Sequence, residues 1–332
     1  METWDVVVVG AGVCGLTIAR NLQDAGRAVL LLDKGSRPGG RLAGRPLGGT
    51  LLTPSVDTVR SHDAEVTREI IRRTGARFTP VTEDHADWIF EEPAGDIATR
   101  WAAGTMLMRT FVTHIAVQDS GLIHVVPHAS GAPFAGRAVV LTAPVPQSLQ
   151  ILRSSGLAVA SALLDVAYDK RAVLLCVGDG VGDGVGEGLG NGLGNGVGDG
   201  VGADHRGNRR ASDGVIDAVR VRHRDDAGRV WLEVFASPQW SEATWDADAT
   251  FSQAALLAEL IRLRPGLRVV DSELKRWRYA NAVGAVSDAT FSRSEDQPAI
   301  FVAGDGFGRR HGHPSGVSRA VRSGLDVARV LA

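Results

Sequence analysis

Cysteine is nearly missing from this chain: Cys14 and Cys176 are the only 2 in 332 residues. Two thiols so far apart give no disulfide framework and no metal-type spacing. An excess of either charge is missing too. Lys and Arg total 36 against 38 Asp and Glu, a formal net charge of −2, with the two signs intermixed. No basic stripe therefore points to nucleic acid, and no polybasic segment points to a membrane surface. No apolar run approaches the length of a membrane span. The first strand-like run begins close behind Met1 and leaves no room for a secretory leader. A cytoplasmic, reducing location is the expectation from these absences. Apolar residues still make up 44%, which at this length allows a sizeable core and two domains.

Against that background one stretch organises the rest. Asp5 to Gly15 reads Asp-Val-Val-Val-Val-Gly10-Ala-Gly12-Val-Cys-Gly15, an apolar helical pattern follows, and Ala28 to Asp33 reads Ala-Val-Leu-Leu-Leu-Asp. Strand, glycine turn, helix and a second strand ending in an acid make one βαβ unit with a dinucleotide fingerprint in its proper context. Gly10 permits the tight turn, Gly12 lets the backbone approach a pyrophosphate, and Gly15 lets the helix pack on the strand. The helix opens near Val13, so its free N–H groups face the anion. Asp33 stands where an acid accepts adenosine ribose hydroxyls, with Lys34 beside it. Shortly after comes Gly39-Gly40-Arg41, two residues that bring backbone close to a ligand and a guanidinium able to fork onto a phosphate or a flavin edge.

Further along, His62 to Thr74 has helical spacing with Gly75 as its stop, Gly104 to Val112 is expected to begin a short helix, and Arg137 to Leu141 is a buried strand that returns to the first sheet. Ser161 to Val177 reads as strand. Val177 to Gly202 is a tetrapeptide repeat of the Val-Gly-Asp-Gly kind, half of it glycine. Ordering it costs backbone entropy that its few apolar side chains do not offset, so 177–212 is expected to be a disordered insert. A calcium β-roll would need a nine-residue period, and the period here is four. Gly214 to Arg224 and Arg229 to Ala236 form a strand pair, Ser237 to Glu242 a loop, Ala249 to Arg262 a helix, and Val269 to Tyr279 a strand. The second strong signal is Ala299-Ile-Phe-Val-Ala-Gly304-Asp305, a buried strand running into Gly-Asp, followed by a helix whose free N–H groups begin near Val317. A simple nicotinamide dehydrogenase gives that return to the sheet no role. A flavin dinucleotide lying extended across the sheet does.

Several blocks together resemble the bacterial renalase-like branch of the FAD-dependent amine oxidase superfamily. They are Gly10 to Leu16, Leu32 to Gly35, Pro38 to Leu42, Leu141 to Gln147, Ala236 to Ser241, Arg276 to Ala280, Val302 to Phe307, and Ser323-Gly324-Leu325. The resemblance implies an α/β fold: a Rossmann-like FAD-binding domain on a parallel sheet, and a second α+β substrate domain on a mixed or antiparallel sheet. The expected division is 1–60 with 102–145 and 282–332 for FAD, and 61–101 with 146–281 for substrate. It implies non-covalent FAD, a small-molecule substrate (a dihydronicotinamide isomer or an amine), and O2 as electron acceptor, giving H2O2. Gly10, Gly12, Val13, Gly15, Asp33, Lys34, Gly40, Arg41, Gly304, Asp305 and Val317 carry over as FAD contacts. One departure stands out: Leu52 to Arg60 lacks the glycine that lets backbone lie against the ring in the family.

Flavin chemistry asks little of side chains, and the sequence shows no catalytic dyad or triad. Trp240, Trp277 and Tyr279 read either as an aromatic wall over the ring or as core packing between strands. Arg276 and Arg278 read either as phosphate ligands or as a solvated strand face. His311 and His313 have no further ligand cluster, so no metal site is expected. Cys14 reads as a small buried residue. The competing functions are a desaturase-like flavin enzyme with an apolar substrate, and an FAD-binding protein without turnover.

Overall fold

The computed structural model describes residues 2–54, 58–60, 63–80, 87–102, 104–128, 131–179, 214–284, 286, 289–294, 296–297, 299–308 and 316–332. Its main sheet is parallel at the centre, where β1 (Thr3–Val9) lies between β2 (Val29–Leu32) and β11 (Phe134–Leu141). β8 (Thr105–Leu107) extends it beside β2, β17 (Ile300–Ala303) beside β11, and β16 (Phe291–Arg293) closes the far edge antiparallel. The antiparallel pair β9 (Val112–Val117) and β10 (Ile123–Pro127) joins through β11. Both faces are covered, which is why these strands are continuous apolar runs rather than alternating ones. Val6, Val8, Val29 and Leu31 face α1 (Val13–Asp24) and α7 (Gly316–Leu331), while Val7, Val9, Leu30 and Leu32 face the β9–β10 pair and α4 (Val145–Ser154).

The second sheet is antiparallel, in the order β13 (Ile216–Arg224), β14 (Val230–Ala236), β12 (Arg171–Asp179), β15 (Arg268–Trp277). Strand alternation gives it two distinct faces. Ala172, Leu174, Cys176, Leu232 and Val234 pack under α6 (Ala249–Leu263), with Leu256 and Leu260. Val173, Leu175, Val177, Trp231 and Phe235 face the first domain, where Leu47 and Leu52 of the hairpin β3 (Arg45–Leu47) and β4 (Thr50–Leu52) cover them. A small sheet of β5 (Thr58–Arg60), β7 (Asp87–Phe90) and β6 (Phe78–Pro80) accompanies α2 (Ala64–Thr74) and α3 (Ala94–Trp101).

Several expectations are corrected. Residues 61–101 do not join the second sheet: Val66, Ile70, Ile97, Ala98 and Trp101 are buried in the core that α1 and α7 share. Residues 146–154 belong with the main sheet as well, since Leu149 and Leu152 of α4 pack beneath it. Gly104 to Val112 does not begin a helix; Leu30 to Leu32 recruit Thr105–Leu107 as a parallel edge strand. Ser161 opens a single 3-10 turn, and the strand starts only at Arg171. Ser237 to Glu242 is not a loop: Ser237 caps the short helix α5 (Pro238–Ala243) by accepting from the Trp240 N–H. Val177, Gly178 and Asp179, expected as the start of the insert, are instead the end of β12, where Asp179 pairs with Arg229 and Arg268. The remainder of the repeat, His311 and His313 lie outside the described residues.

Candidate active site

A cavity of about 1100 Å³ runs between the two sheets, with the glycine turn on one wall and the face of the second sheet on the other. The nucleotide wall is made of backbone. Gly10 has φ 117°, and a Cβ there would sit 2.5 Å from Thr142 Oγ1, whose hydroxyl donates to the Gly10 carbonyl at 2.8 Å. At Gly15 a Cβ would come within 1.9 Å of the Gly10 carbonyl oxygen, so only glycine lets α1 start this close to β1. No side chain caps α1 and its first turn carries no acid. Its first N–H groups thus meet the cavity at Gly12, Val13 and Cys14 without intrahelical partners. Gly39, at φ 108°, donates its N–H to the Ala11 carbonyl at 2.7 Å, and a Cβ on Gly40 would lie 3.2 Å from Gly12 Cα. The two glycine segments interlock and present Arg41 from a single 3-10 turn.

Arg41 and Asp305 engage each other. One guanidinium nitrogen lies 2.8 Å from Asp305 Oδ1, and another donates to the Ala280 carbonyl at 2.6 Å. Asp305 is only 3% exposed. Burial opposes its charge, but the Arg41 charge and hydrogen bond, the Arg319 charge and the Tyr168 hydroxyl outweigh it and hold Asp305 below the usual carboxylate range. Tyr168 donates to Asp305 Oδ1 at 3.1 Å and meets Tyr279 edge-on at 5.7 Å, so both tyrosines of the chain converge here. Asp305 Oδ2, by contrast, is buried with no hydrogen-bond partner among the described residues. Asp33 accepts from the Ala11 N–H at 2.6 Å and the Gly35 N–H at 2.5 Å, leaving lone pairs over for ligand hydroxyls. Burial pushes the Cys14 thiol up to about 12, so it stays protonated and packed.

The other wall is made of side chains from one sheet face. Arg171, Val173, Phe235, Lys275 and Trp277 line it, with Tyr279 just past the strand. The Trp277 indole donates to the Pro54 carbonyl at 2.5 Å. Fully buried Glu233 accepts from the Thr53 N–H at 2.6 Å and holds Arg220 and Arg222. Together they anchor Thr53-Pro54; residues 55–57 lie outside the described residues.

The structure brings Gly10, Gly12, Val13, Asp33, Lys34, Gly40, Arg41, Gly304, Asp305 and Val317 to this one cavity, together with Trp277 and Tyr279. Gly15 sits behind the turn as a packing residue. Trp240 is not brought there: it packs on the opposite face of the second sheet, beneath α6. The Arg276 guanidinium turns away to the Trp245 and Ala247 carbonyls, and both it and Arg278 lie near the Trp245 ring at 5.6 Å. Sequence reasoning missed Tyr168, which no local motif marks. It also missed Arg171 and Lys275, for which signals existed: a charge heading the apolar run 172–177, and the two-residue period that puts Lys275 with Trp277.

Residues 8–74 match the model of the NAD(P)-binding Rossmann-like domain family. A FAD-dependent oxidoreductase of Cochliobolus heterostrophus, oblC, is 35% identical over 80 residues; the match covers 24% of this chain and 17% of that protein. A candidate protoporphyrinogen oxidase of Exiguobacterium sp. 255-15 shares the fold over 99% of both chains at TM-score 0.69 and 15% identity. A putrescine oxidase variant does so over 99% of this chain and 98% of its own at TM-score 0.68 and 12% identity. With these structures the chain shares the fold: an N-terminal Rossmann-like region joined to a second, antiparallel sheet. Among the described residues no helix is long and apolar enough to cross a membrane, and no cluster of metal-ligating side chains occurs.

Proposed function

We propose that this protein is an oxidase with non-covalently bound FAD that oxidises a small reduced substrate and passes the electrons to O2, releasing H2O2. The observation that carries the reading is the unpartnered, buried Asp305 Oδ2, set in one cavity with the uncapped start of α1 and the Asp33 carboxylate. These are the complements of a ribityl hydroxyl donor, a pyrophosphate and a ribose diol, and FAD has all three. When bound, FAD would accept a hydride from the donor and return two electrons to O2. The chain's own part is placement. The α1 N–H groups seat the anion, Arg41 fixes Asp305, and Asp33 holds the ribose. Trp277, Tyr279, Phe235 and Val173 form the wall across from that seat, where a donor carbon is oriented and water excluded.

The renalase-like blocks support a dihydronicotinamide isomer as donor, with a small amine as the alternative. Pro144 and Gln147 from one block and Arg276 to Ala280 from another reach the cavity. Eight cationic residues line the cavity as a whole, which disfavours a desaturase-like apolar tunnel. The test is an absorbance spectrum of the purified protein, acid release of the flavin, and peroxide production in air with a dihydronicotinamide isomer. Free flavin and peroxide are the expected outcome. A colourless protein that cannot be reconstituted with FAD overturns the reading; FAD that no donor reduces leaves a binding protein without turnover.

A further inference from the structure

Resting on that flavin-oxidase reading, we propose that Lys275 is the specificity-determining residue of the substrate wall, and that the donor carries a carboxylate or phosphate group rather than a second positive charge. Lys275 stands directly across from Val173 on the cavity face of the second sheet. Its ammonium lies 4.5 Å from the centre of the Trp277 ring. Among the described residues it makes no ion pair. The acid nearest to it along the same strand face, Glu273, is set against Arg45 at 4.0 Å instead. Burial, then the charges of Arg45 and Lys34, hold its pKa below the ordinary lysine value against the opposing pull of Glu273. A half-buried ammonium among like charges is stabilised by an incoming anion and repelled by an incoming cation.

The charge balance of the whole cavity points the same way. Eight cationic and two acidic residues line it. Both acids are engaged, Asp305 by Arg41 and Asp33 by two backbone N–H groups. The pyrophosphate of a dinucleotide contributes two negative charges, and its seat is the start of α1, on the wall opposite β15. The Arg171 guanidinium is already matched by Asp217 at 2.9 Å. Arg276 turns to the Trp245 and Ala247 carbonyls, and Arg278 lies against the Trp245 ring. On the cavity face of β12 and β15, Lys275 is therefore the cation without an ion pair among the described residues, and Trp277 beside it supplies an apolar surface for the ring or chain that bears the anion. A diamine, with a charge at each end, would meet repulsion in this cavity.

The test uses the FAD-loaded protein and three ligands that share one ring and differ in charge: benzoate, benzamide and benzylamine, titrated by calorimetry and by the flavin absorbance. Benzoate is expected to bind about tenfold or more tighter than benzamide, as one charge-assisted contact allows, with benzylamine weakest. Lys275→Met removes that advantage, Lys275→Arg keeps most of it, and both retain the parent's FAD content and Tm. Benzoate affinity falls as pH rises through the lysine pKa. Competition by inorganic phosphate, lost in Lys275→Met, supports a phosphate-bearing donor; benzoate selectivity without it supports a carboxylate. Equal binding of the three ligands, no binding by any, or selectivity that survives Lys275→Met overturns the proposal. So does a fall in FAD content in Lys275→Met, which would assign the ammonium to the cofactor. A protein that takes up no FAD sinks the flavin reading, while the calorimetric ranking, which needs no flavin signal, still decides the anion site.

Discussion

The two walls of the cavity are built from different material. The nucleotide wall is backbone: Gly10, Gly12, Gly39 and Gly40 bring main chain to the ligand, and α1 offers its uncapped start. The substrate wall is side chain: Arg171, Val173, Phe235, Lys275 and Trp277 stand on the face of an antiparallel sheet. A backbone-built site tolerates few residue types at each position, whereas a sheet face accepts substitution wherever volume and charge are kept. On the proposed flavin reading, one wall is thus fixed by the geometry of a large cofactor. The other is free to set which donor is taken.

That contrast can be broken most forcibly at the buried ion pair of the nucleotide wall, Arg41 with Asp305. Arg41→Met leaves Asp305 buried without its counter-charge and should cost about 3–5 kcal/mol in chemical denaturation. Arg41→Met with Asp305→Asn should recover much of that stability and none of the FAD uptake, separating the structural share of the pair from its cofactor share. The acid limb follows from the sign of the shift. Asp305 is held below its unfolded value, so its contribution is complete above the unfolded carboxylate pKa and is lost as pH falls through the lower folded one. In Arg41→Met the loss should set in at higher pH, read from Tm against pH. Next in size, Gly15→Ala drives a Cβ into the Gly10 carbonyl; about 2–3 kcal/mol of destabilisation and a colourless protein are expected, checked by denaturation and flavin absorbance. On the other wall, Trp277→Phe keeps the ring and removes the donor to Pro54. About 1 kcal/mol is expected, with substrate KM raised and FAD content unchanged; loss of FAD instead would show that the walls are not separable. The smallest effect is at Cys14, which should resist alkylation at neutral pH until the protein unfolds, given a thiol held near 12.

The same division explains what the amino-acid order made legible. Gly10, Gly12, Gly15 and Asp33 obey fixed spacings because one turn, one helix start and one strand end impose them, and Gly304-Asp305 repeats that grammar at a second strand end. Trp240 and Trp277 looked alike as candidates, but the choice between them lay in which face each residue took. Trp277 follows the alternation of β15 onto the cavity side, while Ser237 caps α5 and carries Trp240 to the α6 side. Tyr168 could not be read at all. Its role depends on Asp305 and Val145, brought to its hydroxyl only by the closed fold. Gly104 to Val112 misleads because this short segment, with Met106 and Met108, has no period of its own, and pairing of Thr105–Leu107 with β2 decides it.

The close contact of the first and last helices has a further consequence. Gly324 of α7 rests on α1, where a Cβ would lie 2.8 Å from Thr17 Cβ and 2.9 Å from the Cys14 carbonyl, and the Gly304 N–H donates to Ser323. On the ribosome, Gly10 to Asp33 emerge long before Gly304, Asp305 and α7 are made. The early βαβ unit must wait with one flank of α1 uncovered and with no Asp305 at the cofactor seat. On the proposed reading, capture of the cofactor is in this sense a late event of biosynthesis, and the yellow colour of a flavin would report that α7 has been made and has closed upon α1.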